Sequence, residues 1–192
     1  MLSFVDITPS LLDYGDGYDA KRNAPIKPDS RTLPPPTPGE NRGKPYKGFH
    51  GRSFIPIIGQ ESAVGWDQIT ASHTFHEIQM YYPMRVVRDR KYKLIWNVAH
   101  AQPYPFASDL WAASTWQAQW KKGPDAPYGN KKVAGYIQCA EFELFDIEND
   151  PHESKNLAGD SNFAAVLTQY QEKLKDAQKK TGDPWVMKWR YE

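Results

Sequence analysis

The run from Phe75 to Val98, "FHEIQMYYPMRVVRDRKYKLIWNV", constrains this chain more than any other. Val86 and Val87, then the polar "RDRK", then Tyr92, Leu94 and Trp96 read as two antiparallel strands joined by a tight turn, because β-branched and aromatic residues favour the pleat and a charged tetrapeptide suits a reversal. A two-stranded hairpin is marginal in water on its own. A chain built around one must therefore recruit further strands or a helix to cover its apolar face.

Both are supplied downstream. "GYIQCAEFELFDI" reads as a strand, with Phe142 and Leu144 alternating against Glu141, Glu143 and Phe145. A helix from about Asn162 to Lys180 then places Phe163, Val166, Leu167, Tyr170, Leu174 and Ala177 on one face. Lys173, Lys175, Lys179 and Lys180 crowd its C-terminal half, where cations favour the helix dipole, and Gly182 stops it. The expected fold class is α+β: a small antiparallel sheet of about four strands packed by a C-terminal amphipathic helix.

The N-terminal third is different. In "SFVDITPSLLDY", Thr8 as N-cap, Pro9 at the first helical position and Leu11 and Leu12 behind them predict a short helix that Gly15 and Gly17 break. From Asp19 to Gly51 the chain carries Pro25, Pro28, Pro34, Pro35, Pro36, Pro38 and Pro45 and few aliphatics, too little apolar surface to offset its own ordering entropy. It is expected to run extended or disordered. "GRSFIPIIGQ" reads as a docking turn, and residues 100–135 as a long aromatic-rich loop with a helical turn at "SDLWAASTWQAQW".

Charge and cysteine content remove several classes of function. With 24 basic and 23 acidic residues, the net charge of +1 gives no general attraction to nucleic acid or anionic membrane. No apolar run approaches the ~20 residues of a spanning helix. The single Cys139 excludes an internal disulfide and a multi-cysteine zinc site. Seven Trp, eleven Tyr and eight Phe in a chain of low mean hydropathy suit half-buried surfaces, either packing between sheet and loops or facing a carbohydrate.

Candidate chemistry is sparse. There is no glycine-rich phosphate loop, Gly-x-Ser-x-Gly elbow or His-Glu-x-x-His pair. His73, His76 and Glu77 in "ASHTFHE" form one dense polar triplet, with His76 an acid/base or anion-contact candidate. Arg85, Arg88, Arg90, Lys91 and Lys93 make a basic hairpin, either a solvated face or a site for an acidic ligand. "FELFDIENDPHESKNLAGD" gathers Asp146, Glu148, Asp150, His152 and Glu153, but its order of strand, Asp-Pro turn and helix approach assigns it a structural role.

Taken in order, "SFVDITPSLLDY", "GRSFIPIIGQ", "HEIQMYYPMRVVRDRKYKLIWN", "FELFDIENDPHESKNLA" and "KKTGDPWV" resemble the C-terminal portion of the sulfatases, and more narrowly of the N-sulfoglucosamine sulfohydrolases. The resemblance covers essentially the whole chain. It implies the end of an alkaline-phosphatase-like fold, with residues 1–60 the tail of a large N-terminal domain plus the Pro-rich connection and residues 61–192 the smaller C-terminal subdomain.

The large domain of that family carries a formylglycine nucleophile, made within Cys-x-Pro-Ser-Arg, and a calcium ion. Here Cys139 sits in "QCAEF" without Pro-Ser-Arg, and no Asp-Asn metal signature is present. The resemblance thus implies a portion with no turnover by itself, acting on a sulfated saccharide together with the missing domain. Calcium and formylglycine are implied for the complete enzyme alone.

"FHEIQMYYPMR" is similar to the family's His-His-Glu-Val-Thr-Met-x-Tyr-Pro-Met-Arg, which makes His76, Glu77 and Arg85 the substrate-binding candidates, although Phe75 replaces the first His. Two other readings stay open: a non-catalytic domain binding sulfated glycan or protein through the aromatic loop and basic hairpin, and part of an O-sulfatase. The family implies a periplasmic, secreted or lysosomal setting. Apolar positions such as Phe4, Ile7, Leu11, Phe54 and Ile57 raise the expectation of self-association.

Overall fold

The computed structural model describes residues 1–26, 48–76 and 80–191. The bulk of the Pro-rich stretch, and Glu77, lie outside the described residues. The chain divides into two compact units, residues 1–66 and 67–192.

In the second unit, strands β1 (Ile69–His76), β2 (Met80–Arg88), β3 (Tyr92–Asn97) and β4 (Phe142–Asp146) form one antiparallel sheet in that order. The hairpin expected from the sequence is β2–β3, with Val86 opposite Ile95 and Val87 opposite Leu94. Its turn is held by Asp89, whose carboxylate accepts the backbone N–H groups of Lys91 (3.0 Å) and Tyr92 (2.9 Å). The connection Asp89–Lys91 therefore closes by an Asx-type turn.

Helix α5 (Ala164–Thr181) lies across one face, and Val87, Leu94, Trp96, Val98, Leu144, Leu157, Tyr170 and Leu174 make the core between them. Asp160 caps the 3₁₀ turn that leads into it, accepting the Asn162 N–H at 3.0 Å. The helix ends as its sequence predicts, at Gly182 in the left-handed conformation with φ 68°. A Cβ there would meet nothing within 4 Å, so only backbone conformation is at stake. Gly182→Ala is expected to cost about 1–2 kcal/mol, the penalty of an L-residue in that region, read as a lower urea midpoint at constant m-value.

Immediately after it, Asp183 caps a 3₁₀ segment, Pro184–Arg190, by accepting the Trp185 N–H. This segment lays Trp189 on Trp96 (4.1 Å between centroids) and Phe142 (5.8 Å). The "KKTGDPWV" motif is thus a helix stop, a cap and an aromatic latch onto the sheet.

Three expectations change. Val133–Ile137 is a helical turn, not the start of a strand: the strand begins at Phe142, and Tyr136 and Ile137 pack against the second core. Along β4 the expected alternation is lost, since Glu143, Leu144 and Phe145 are all buried. One face packs on α5, while on the other Glu143 takes Lys131 (3.0 Å) and Lys93 lies over the Phe145 ring. Residues 100–135 are also more ordered than a loop. Helices α2 (Ser108–Ala112) and α3 (Ser114–Trp120), a two-residue ladder (Pro127–Tyr128 with Lys131–Lys132) and helix α4 (Val133–Ile137) enclose a second core of Trp116, Ala126 and Val133. Aromatic side chains make this possible because each buries 150–250 Å².

In the first unit, α1 (Ile7–Tyr14) follows a 3₁₀ turn at Phe4–Asp6. Its approach starts earlier than Thr8, because buried Asp6 accepts the Ser3 N–H at 2.8 Å. Asp6 also accepts the Arg52 N–H (3.0 Å), and Gly51 passes so close that a Cβ would lie 2.2 Å from the Val5 carbonyl oxygen. Polar ties hold this unit, while Phe4, Leu11 and Tyr14 remain exposed on one stripe.

Candidate functional site

The acidic stretch after β4 is a joint. Asp150 accepts the Ser154 and Lys155 N–H groups at 2.7 and 2.9 Å, closing the turn, and these bonds hold its carboxyl below the ordinary range, led by the one from Lys155. Asn156 accepts the Leu144 N–H (2.9 Å) and donates to the Phe142 carbonyl (3.0 Å), which blunts the edge of β4. Leu157 is buried in the core, and His152 is exposed. Three of the five basic hairpin residues are paired: Arg90 with Asp67, Lys93 with Glu153, and Arg85 with Asp183.

The site-like place is a cavity of about 410 Å³ lined by His73, His76, Met80, Tyr104, Pro105, Phe106, Ala107, Leu110 and Tyr136. It lies where the outer strand β1 and its neighbour β2 meet the aromatic segment. In β1, His73 and His76 are three residues apart and would point to opposite sides of an even strand. The β1–β2 register, however, shifts by one between His73 and Phe75, opposite Tyr82 and Pro83. Pro83 has no N–H to give the ladder, and an irregularity of this kind bends and retwists the strand. The extra residue lies in β2, where Tyr82 and Pro83 face Thr74, and both histidines of β1 line the same cavity.

His73 Nδ1 lies 3.0 Å from the Tyr82 carbonyl oxygen. A carbonyl only accepts, so Nδ1 carries the proton, and in the neutral ring Nε2 is left as an acceptor. His76 is exposed and free to meet a ligand. Opposite them, Tyr104 packs edge-on against Tyr82 (5.1 Å) and Tyr136 (5.9 Å). Burial, then the neighbouring Tyr104 and Tyr128, push the Tyr136 hydroxyl above its ordinary value, so it stays a donor at neutral pH. The wall combines apolar rings with a few polar atoms, the usual make-up of a small-molecule site.

Arg85 does not line the cavity. It is buried, its fork grips Asp183 through Nε and Nη2 (Nη2 to Oδ1 3.0 Å), and Nη1 donates to the carbonyls of His73 (2.9 Å) and Met84 (2.8 Å). It therefore braces the backbone beneath His73. Tyr104 and Phe106 belong to the aromatic loop read as a glycan surface in the alternative to an enzyme, and Tyr136 entered no site proposed from sequence. The triplet in "ASHTFHE" signalled His73, but nothing local shows that residues 104–136 fold back against β1.

Cys139 has no nucleophilic preparation. Burial first, and then the Glu143 carboxylate, push its thiol above the ordinary value and keep it protonated. Among the described residues no group of three or more His, Cys, Asp or Glu side chains could hold a metal ion. Among the described residues, too, no helix is long and apolar enough to cross a membrane.

No family profile matches the chain. It is 31% identical over 187 residues to N-sulphoglucosamine sulphohydrolase of Homo sapiens, an alignment that takes in 96% of this chain and 34% of that protein. The chain matches a C-terminal portion of the sulfatases. It spans about a third of the length of this curated relative.

One solved structure supports the same fold. A 2-O GAG sulfatase superposes with a TM-score of 0.50 at 16% identity, covering 94% of this chain and 25% of that one. A protein solved in complex with its substrate D-glucosamine-2-N,6-O-disulfate gives 0.49 at 17% identity, over 93% and 24%. The four-stranded antiparallel sheet with its C-terminal helix is thus a piece of the sulfatase architecture.

Proposed function

We propose that this chain forms one wall of the substrate pocket of a sulfatase acting on N-sulfated glucosamine, and that it selects the sugar while residues outside it supply the nucleophile and the calcium shell. The reading rests above all on the alignment that runs through nearly all of the chain. By itself the 192-residue chain is expected to show no turnover, because hydrolysis of a sulfate-type group needs an activated nucleophile and preorganised positive charge, and its protonated Cys139 offers neither.

In the pocket, Tyr104 and Tyr136 give the sugar ring an amphipathic surface, and His73 Nε2 accepts from a hydroxyl or amine. His76 donates to the sulfate or another acidic group. Glu77, next in sequence, accepts from the glucosamine nitrogen or a hydroxyl. Arg85 serves the same site from behind by fixing the His73 carbonyl.

The deciding experiment measures sulfate release by the full-length polypeptide from N-sulfated and from 6-O-sulfated glucosamine. Preference for the first supports the assignment; release from only the second would replace it with an O-sulfatase. In the same protein, Glu77→Gln is expected to lower kcat/KM for N-sulfated glucosamine by tenfold or more, about 1.4 kcal/mol of transition-state stabilisation. A change within twofold would remove Glu77 from the site.

A further inference from the structure

Two exposed tryptophans among the described residues meet each other. Trp111 and Trp120 are 45% and 41% exposed, and their rings meet edge to face at 5.6 Å. A tryptophan half in water is costly, since its large apolar area remains hydrated. Two held together in that state form a built surface.

Both are also held rigidly. Trp120 stacks at 6.0 Å and 27° on Trp116, which is fully buried in the second core. Trp111 stacks at 6.0 Å and 21° on Phe106, and its carbonyl accepts from the Gln117 side chain at 2.7 Å. Neither ring has to be ordered when a ligand arrives, so the entropy cost of binding is small.

Position gives the surface its meaning. Phe106 and Leu110 line the cavity, Trp111 follows Leu110 and stacks on Phe106, and Trp120 abuts Trp111. One aromatic track therefore runs from inside the cavity to the open surface. At its outer end Lys121 and Lys122 are exposed, and neither makes an ion pair among the described residues, whereas nearby Asp125 is neutralised by Lys132 at 2.9 Å. The track is apolar on its ring faces and cationic at its rim.

We propose that the Trp111–Trp120 pair is a second saccharide subsite, which takes the sugar next to the N-sulfated residue when the substrate is an oligosaccharide. This rests on the proposed function above. The physical match is direct: the C–H face of a pyranose carries slight positive charge and stacks on the negative face of an indole, while its carboxylate or sulfate groups meet Lys121 and Lys122. The chemistry recognised is an anionic oligosaccharide. A protein segment covering the same rings is the competing occupant.

The test uses the full-length protein and two substrates, N-sulfated glucosamine as the monosaccharide and an N-sulfated heparan-type tetrasaccharide. The readout is the ratio of their kcat/KM values. Trp111→Ala and Trp120→Ala are each expected to lower the tetrasaccharide-to-monosaccharide ratio at least fivefold, through KM, with Trp111→Phe recovering most of the loss. A ratio that stays within twofold in both alanine variants overturns the subsite, whether both substrates slow together, as when packing alone is damaged, or neither does, as when protein covers the rings.

Failure of the proposed function shows separately, as absence of N-sulfate release from either substrate by the wild-type protein. In that event, tetrasaccharide binding followed by tryptophan fluorescence decides the subsite: weakening of fivefold or more in Trp111→Ala and Trp120→Ala upholds it, and undiminished binding removes it.

Discussion

Replacing Arg85 by methionine is expected to destabilise the fold by about 3–5 kcal/mol, because it leaves a buried carboxylate without its counter-charge. The Arg85 and Asp183 side chains are 7% and 11% exposed, and the guanidinium also satisfies the His73 and Met84 carbonyls. Methionine keeps the stem's packing and removes every one of those donors. Burial alone would raise the Asp183 carboxyl, but the bonds from Arg85, Gln178 and Trp185 more than offset it and hold it below the ordinary value. A group depressed in this way lends stability above its unfolded pKa and loses it as pH falls, so the effect of Arg85→Met is greatest at neutral pH. Arg85→Lys is expected to recover only part, since one ammonium cannot span a carboxylate fork and two carbonyls. Urea unfolding followed by tryptophan fluorescence reads both variants. A loss below about 1 kcal/mol for methionine would mean that the pair behaves as a solvated surface bridge.

Asp89→Ala is expected to cost about 2–4 kcal/mol, since several hydrogen bonds to one charged group are removed together. Asp89 closes the β2–β3 turn and also accepts the Tyr170 hydroxyl and Lys173 Nζ (2.9 Å), tying the hairpin to α5. Burial acts to raise its carboxyl, but the bonds from Tyr170, Tyr92, Lys173 and Lys91 outweigh it and bring it down from 3.8 to about 2. The sign follows. Above pH ~4 both folded and unfolded states are ionised and the full contribution, roughly 2 kcal/mol, is present; it drains away as pH falls toward 2. The stability gap between wild type and Asp89→Ala should therefore narrow between pH 4 and pH 2. A gap of constant size across that range would show that the interaction does not depend on the charge.

These two anchors differ in how far the sequence reveals them. Asp89 in "RDRK" is a turn residue by type, and the hairpin it closes was legible because β-branched and aromatic residues flank it. Nothing local announces that its second oxygen reaches Tyr170, 81 positions along the chain. Arg85 shows the opposite failure. In sequence it is one of five basic residues on a hairpin and a candidate ligand for an acidic group; in the fold, Asp183 arrives beside it after the Gly182 stop and takes the guanidinium.

The same holds for the site. His76 lines the cavity, while Tyr104, Phe106 and Tyr136 complete a wall from a region that has no strong periodicity. Short helices packed by aromatics leave a weak pattern, because each is only five to seven residues long and its stability comes from ring contacts rather than from a repeat.

By itself the sequence determined the hairpin, the amphipathic C-terminal helix with its glycine stop, the α+β class and the sulfatase resemblance, because each rests on local periodicity, local turn chemistry or ordered motifs. The tertiary structure alone decided which charges are spent and which are free, and that two histidines three apart share one cavity. Those outcomes depend on partners far away in the chain, and such long-range pairings leave no trace in the residues on either side.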